Sequence, residues 1–208
     1  MRNLKRRGES LEDLYRKRYE VLKITAIALQ AHVSVHFTGL SRIDRIAARA
    51  KDVKSFLAKA AKRENGKAKY VDPLSQIQDQ LGVRVITFFR SDVDRLDAVV
   101  KRYFRWIERK DHVPDSEWEF GYFGRHYVLS LPTDVIQDGT DPGMIPLFFE
   151  LQIKTLFQHA WSEAEHDLGY KPSEAPLTPD QKRKLAFTSA QAWGADEMFD
   201  DLFHERYG

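Results

Sequence analysis

Phe149-Glu150-Leu151-Gln152-Ile153-Lys154-Thr155 alternates apolar and polar side chains from end to end. A period of two is the signature of a strand with one dry face and one polar face. The chain must therefore supply a core for Phe149, Leu151 and Ile153, and a setting for Glu150, Gln152 and Lys154. Three ionisable or amide groups on one face suit a charged substrate lying across a sheet. A polar sheet surface open to water is the plainer alternative. The run passes at once into His159-Ala160-Trp161-Ser162-Glu163-Ala164-Glu165-His166, which reads as helix, and then Tyr170-Lys171.

The other segments give a mixture of periods. A helix is predicted over 10–31, capped by Ser10, with Leu11, Leu14, Tyr15, Leu22, Ala26 and Leu29 at helical spacing. A second helix is predicted over 41–62, with Ile43, Ile46, Ala50, Val53 and Leu57 as its buried stripe, and Asn65-Gly66-Lys67 as the loop after it. Asp72-Pro73 opens a short helix that Gly82 ends. Val83 to Phe89 is β-branched and aromatic, the composition of a central strand. Asp92 is expected to cap a helix carrying Val93, Leu96, Val99, Val100, Phe104 and Ile107. A polar, irregular segment runs from Asp111 to Glu119. Strands over 122–131 and 145–154, with Asp138-Gly139 and Pro142-Gly143 between them, form a predicted hairpin. Helices over 155–168 and 179–205 follow. The class is α+β, a small sheet flanked by helices, in one domain spanning 1–208: a helical segment 1–40, a core 41–171 and a C-terminal helix 179–205.

Charge is unevenly placed. Residues 42–69 hold ten Lys/Arg against three acids, whereas residues 134–208 hold six against fourteen. A basic wall facing an acidic, metal-carrying wall fits phosphate chemistry, and RNA binding fits nearly as well. The absence of cysteine excludes disulfide and thiol chemistry and fits a cytoplasmic setting. No apolar run is long enough to cross a bilayer, so no membrane partner is expected.

Arg84 lies inside the apolar run that follows Asp79-Gln80-Leu81-Gly82. An unpaired guanidinium there is costly, so it meets an anion, an aromatic ring or a structural ion pair. Arg49, Lys51, Ser55 and Lys59 form a basic cluster in which Ser55 and Lys59, four apart, share a helix face. Gly121-Tyr122-Phe123-Gly124-Arg125-His126 is a glycine-flanked aromatic turn entering a strand. His159 and His166 are seven apart on one helix; such lone histidines are more often structural than ligating.

In family order these segments resemble the R-x-K-x-x-x-S-[IF]-x-x-K, D-x-x-G-[IV]-R-V, G-Y-[RQ]-[SA]-x-H and E-[VIL]-Q-I-[RK]-T…H-A-W-x-E-x-E-H-x-x-x-Y-K motifs of the RelA/SpoT-type alarmone synthetases, small alarmone synthetases included. The resemblance implies a mixed sheet of about five strands with helices around it, of nucleotidyltransferase type. It implies transfer of pyrophosphate from ATP to the 3′-hydroxyl of GDP or GTP. Asp79 and Glu150 would hold Mg²⁺, with Glu150 also taking the 3′-hydroxyl proton. Arg49 and Arg84 would sandwich adenine, and Lys51, Ser55 and Lys59 would bind the ATP phosphates. Tyr122 would stack on the acceptor base, with His126, Gln152 and Lys154 on the acceptor side. Three positions depart from the pattern. Asp111-His112-Val113-Pro114-Asp115 lacks the lysine that the family carries after its proline, Phe123-Gly124 replaces the usual pair, and Lys154 stands for the more frequent arginine. Relatives that modify the 3′ end of tRNA or use adenine nucleotides, some of them toxins with antitoxins, keep the acceptor open. So does a synthetase-like module that only binds nucleotide or RNA. A homo-oligomer is equally open.

Overall fold

The structure is a computed structural model and describes residues 8–111, 120–122, 124–169 and 176–208. The segment around His112 to Asp115, Phe123 and the Tyr170-Lys171 end of the last motif lie outside the described residues.

Helix α1 (Leu11–Phe37) opens on a reciprocal cap. Ser10 Oγ accepts from the Asp13 N–H, and the Asp13 carboxylate accepts from the Ser10 N–H. Its stripe of Tyr15, Leu22, Ala26, Leu29, Val33 and Phe37 is buried, so the helix runs six residues beyond the predicted end. Strand β1 (Ile43–Ala50) and helix α2 (Val53–Ala60) come next, then a two-residue-a-side hairpin of β2 (Arg63–Glu64) and β3 (Lys67–Ala68). The short α3 (Pro73–Gln76) leads through a 3₁₀ turn at Gln78–Gln80 into β4 (Leu81–Thr87). Helix α4 (Arg90–Tyr103), β5 (Trp106–Asp111), β6 (Arg125–Ser130), β7 (Phe148–Thr155), α5 (Leu156–Gly169) and α6 (Pro179–Tyr207) complete the described chain.

The five long strands form one mixed sheet in the order β1-β4-β7-β6-β5. Only β4 and β7 run parallel; every other neighbour is antiparallel. The α+β architecture expected from the sequence is therefore present, and β6 and β7 do pair as successive antiparallel strands.

Four expectations are corrected. Residues 41–62 are not one helix. Ile43, Ile46 and Ala50 recur at three and four, which a helix accepts, but from Ile46 onward burial alternates as the segment pairs with the edge of β4. Sheet pairing overrides the helical preference of an alanine-rich run. Asp52 then starts the real helix, its carboxylate accepting from the Ser55 N–H at 2.9 Å. The helix after β4 likewise ends at Tyr103, and Ile107 belongs to β5. Asp92 sits inside its first turn, not at the cap, and receives the Phe89 N–H at 3.3 Å. Gly82 lies within β4 and ends no helix.

One face of the sheet is dry. Val83, Val85, Leu151, Ile153, Tyr127 and Leu129 are all 0–1% exposed in a core shared with α1 and with Val93, Leu96 and Val100 of α4. That packing also anchors the other face. The Tyr15 ring stacks on Phe56 of α2, and its hydroxyl donates to the Lys51 carbonyl at 2.8 Å. The Lys51 N–H donates to the Gln80 carbonyl at 2.9 Å, which pins the β1–α2 junction beside the turn that carries Asp79.

Candidate active site

Strand parity turns every second residue onto the sheet's polar face, and the registers line these residues up in two rows. One row crosses the sheet as Ala47, Arg84, Gln152, His126 and Lys110; the next as Arg49, Gly82, Glu150, Val128 and Glu108. Gly82 leaves Glu150 a neighbour without a side chain, since a Cβ there would approach only the Glu150 carbonyl, at 4.0 Å.

Two clefts lie on this face. The larger, about 530 Å³, includes Arg45, Arg49, Lys51, Arg84, Gln152 and Lys154, with His159, Glu163 and His166 of α5 opposite. The smaller, about 320 Å³, includes Lys59, Lys69, Tyr70, Gln76, Gln78 and Lys110. Asp79, His126 and Glu150 line both. The acid pair thus stands where the two clefts meet.

Asp79 is heavily compensated. Its Oδ2 receives Lys59 Nζ at 2.8 Å and Lys51 Nζ at 3.1 Å, while its buried Oδ1 has no hydrogen-bond partner. Glu150 accepts from Gln152 Nε2 at 2.7 Å and lies 3.3 Å from His126 Nδ1. Burial alone would raise its carboxyl. The hydrogen bond and charge of His126, the Gln152 amide and the Lys59 charge outweigh that and hold it at about 2. Glu150 is therefore ionised at any working pH.

Arg84 donates to Gln152 Oε1 at 3.2 Å and to Glu163 Oε1 at 2.5 Å, so its anionic partner is a carboxylate of α5. Arg49 is exposed and carries its guanidinium into the same cleft from β1, not from a helix. Lys154 is 5% exposed and donates to Ser162 Oγ at 2.8 Å. Burial pushes its ammonium down to about 8, and the Arg84 charge adds to the effect. Burial also lowers His159, against the pull of Glu163.

Nine of the eleven residues proposed for the site from the sequence line one or both clefts. Ser55, exposed in the first turn of α2, is not among the residues lining either cleft. Tyr122 is different: its ring is 6% exposed, and its hydroxyl donates to the Asp196 carboxylate of α6, away from both clefts. The expectation that Tyr122 lies open toward an acceptor does not hold in this arrangement. The altered Gly124 has a plain reason. A Cβ there would come 2.3 Å from the Ile153 carbonyl and 2.5 Å from Lys154 Cγ, so only glycine allows β6 to enter this close to β7.

Sequence reasoning did not single out Arg45, Lys69, Tyr70, Lys110 or Glu163, and it took His159 as structural. For Glu163 the signal was present, because it lies four residues after His159 on one helix face. Lys69, Tyr70 and Lys110 come together only through the fold.

Residues 48–175 match the sequence family described as the region found in RelA / SpoT proteins. GTP pyrophosphokinase YjbM of Bacillus subtilis (strain 168) is 25% identical over 190 residues, covering 90% of this chain and 84% of that protein. A GTP pyrophosphokinase family protein from Streptococcus pneumoniae superposes with a TM-score of 0.74 at 23% identity, over 95% of each chain. Small alarmone synthetase 1 from Bacillus subtilis, in a crystal structure bound to its product pppGpp, gives a TM-score of 0.66 at 24% identity, over 94% of this chain and 96% of that one.

Proposed function

The chain belongs to the RelA/SpoT family, and on that premise we propose that it is an ATP-dependent pyrophosphokinase acting on GDP or GTP. The observation that carries this reading is the acid pair Asp79 and Glu150 at the junction of two cation-lined clefts. A site that only binds nucleotide gains nothing from two carboxylates beside phosphate; a site that transfers a phosphoryl group uses them to hold a metal.

In this reading ATP occupies the larger cleft. Arg49 and Arg84 flank the adenine, and Arg84 exchanges its Glu163 partner for the ring face. Lys51 and Lys59 meet the phosphates, with Ser55 at the mouth of α2. The acceptor approaches from the smaller cleft, with His126 and Gln152 beside its ribose and Lys154 toward its phosphates. Its 3′-oxygen attacks the β-phosphorus of ATP. The bond from that phosphorus to the α,β-bridging oxygen breaks, AMP leaves, and the 3′-hydroxyl proton passes toward Glu150. A carboxyl held at about 2 is a weak base. Its stronger contribution is therefore as a fixed negative charge that orients the hydroxyl and holds metal, which suffices where the transition state is loose.

The residues fit Mg²⁺. Asp79 Oδ1 is buried and has no hydrogen-bond partner, and Glu150 supplies a second hard oxygen donor; phosphate and water oxygens complete such a shell. When bound, Mg²⁺ would offset the charge that builds on the transferring phosphates. Among the described residues no helix is long and apolar enough to cross a membrane; with freely diffusing nucleotides as substrates, the reading is of a cytoplasmic enzyme.

The test is incubation with γ-labelled ATP, Mg²⁺ and, separately, GDP, GTP, ADP, ATP and tRNA, with separation of labelled products. Label on GDP or GTP with release of AMP supports the reading. Label on none of the five removes it. A tRNA acceptor is the second reading, favoured by the exposed Arg63, Lys67 and Lys69 of the β2–β3 hairpin, which borders the smaller cleft. Transfer that goes only to tRNA and falls steeply with salt would select it.

A further inference from the structure

Helix α6 reaches the sheet through side chains that are not apolar. Asp196 is 0% exposed, and its Oδ2 receives both the Tyr122 hydroxyl and the Thr155 hydroxyl. Its Oδ1 is buried with no hydrogen-bond partner. One turn on, Asp200 receives the Ser91 N–H at 3.1 Å and the Ser91 hydroxyl at 2.7 Å, and Glu197 pairs with Arg90. Phe203 closes the contact, stacked on Phe89 at 4.7 Å with the Arg42 guanidinium 4.5 Å from its ring. A buried carboxylate with half its lone pairs unused is expensive to keep, and in native structures such a group calls for an explanation beyond stability.

Its position supplies one. Thr155 ends β7, five residues after Glu150, and Tyr122 precedes β6, four residues before His126. One side chain of α6 thus ties together the ends of the two strands that carry Glu150 and His126. We propose that Asp196 is a latch: it holds the Tyr122 ring under α6, out of the acceptor cleft, and the acceptor nucleotide must compete with this contact to recruit the ring. This rests on the pyrophosphokinase reading, in which Tyr122 stacks on the acceptor base. It goes beyond that reading by making α6 a control element for acceptor capture. ATP, whose residues lie on β1, α2 and β4, is not touched by the latch.

Two variants and two readouts test it. Tyr122→Phe keeps the ring and deletes the hydroxyl; Asp196→Asn keeps the shape and deletes the charge. Tyr122→Phe removes one hydrogen bond from the latched state and Asp196→Asn weakens it by making the acceptor neutral, so each should tighten GDP binding, measured by calorimetric titration, by roughly two- to tenfold. Affinity for a non-hydrolysable ATP analogue should stay unchanged. A purely structural hydrogen bond would give equal or weaker GDP binding in both variants, and that result overturns the latch. Amide exchange gives the second readout without any nucleotide. Faster exchange at residues 120–122 and 194–198 in Asp196→Asn than in the wild type is expected; identical exchange overturns the proposal. If the wild type transfers no label to GDP or GTP while the exchange difference is present, the pyrophosphokinase reading falls and the α6 contact stands.

Discussion

The two faces of the five-stranded sheet are made by the same strands and obey opposite rules. On the dry face, Val83, Val85, Leu151 and Ile153 are essentially inaccessible and belong to the apolar core. On the other face, one residue away in each case, Arg84, Glu150, Gln152 and Lys154 touch each other, α5 or open cleft. The dry face carries stability and tolerates apolar side chains of the right volume. The polar face carries charge whose arrangement matters atom by atom, and its residues are tied together by hydrogen bonds and ion pairs. A substitution on one face should therefore register in a different measurement from its neighbour on the other.

The largest separation is expected at the acid pair. Asp79→Asn and Glu150→Gln should each lower transfer by roughly 10²–10⁴-fold while circular dichroism and the melting profile remain those of a folded protein. Near-normal turnover at saturating Mg²⁺ in either variant would break the assignment of that face. The neighbouring Leu151→Ala should do the reverse. It removes a fully buried side chain between Glu150 and Gln152 and should cost about 2–5 kcal/mol in denaturant unfolding. The protein that stays folded should keep its nucleotide affinity. A loss of less than about 1 kcal/mol would mean that the dry face is not the stabilising one.

Arg49→Ala and Arg84→Ala come next, each weakening an ATP analogue by roughly 5- to 30-fold if the guanidinium planes stack on adenine. GDP binding should hardly change. Equal losses for both nucleotides would show that these arginines support the sheet as a whole, Arg84 through its pair with Glu163.

The smallest effect belongs to Lys154. Its folded value of about 8 lies below the ordinary 10.5, so the ammonium is charged below pH 8 and neutral above it. Affinity for GDP should be full at pH 7 and fall a few-fold as pH rises through 8. Lys154→Arg, charged throughout, should flatten that limb. A wild-type profile already flat from pH 7 to 9.5 would separate Lys154 from the phosphates.

Much of this was legible in the chain itself. Parity along Phe149–Thr155 correctly grouped Glu150, Gln152 and Lys154 on one face, and the cost of an arginine in an apolar strand called for a partner to Arg84, which Glu163 supplies. Strand β1 was illegible because Ala47, Ala48 and Ala50 suit a helix as well, and only the hydrogen bonds of β4 decide. Strand β5 hid for another reason: at the sheet edge, Trp106 and Ile107 are both about half exposed, at 51% and 47%, so no inside-outside alternation was there to be read. The smaller cleft gathers side chains from 59–79, 108–110 and 126–150, a convergence that no local period can announce. Tyr122 shows the same limit from the other side. Its partner is 74 residues away on a helix whose sequence gives no sign of reaching back to the sheet.

The grip of Lys51 and Lys59 on Asp79 has a consequence for the order of events. Two ammonium groups already neutralise the carboxylate that the proposed reaction would offer to a dication. Under that proposal a metal arriving alone would have to displace them into water, whereas a metal arriving on a triphosphate would bring the anions that those lysines can turn to. Nucleotide and metal would then be exchanged for the internal salt links in a single trade of partners.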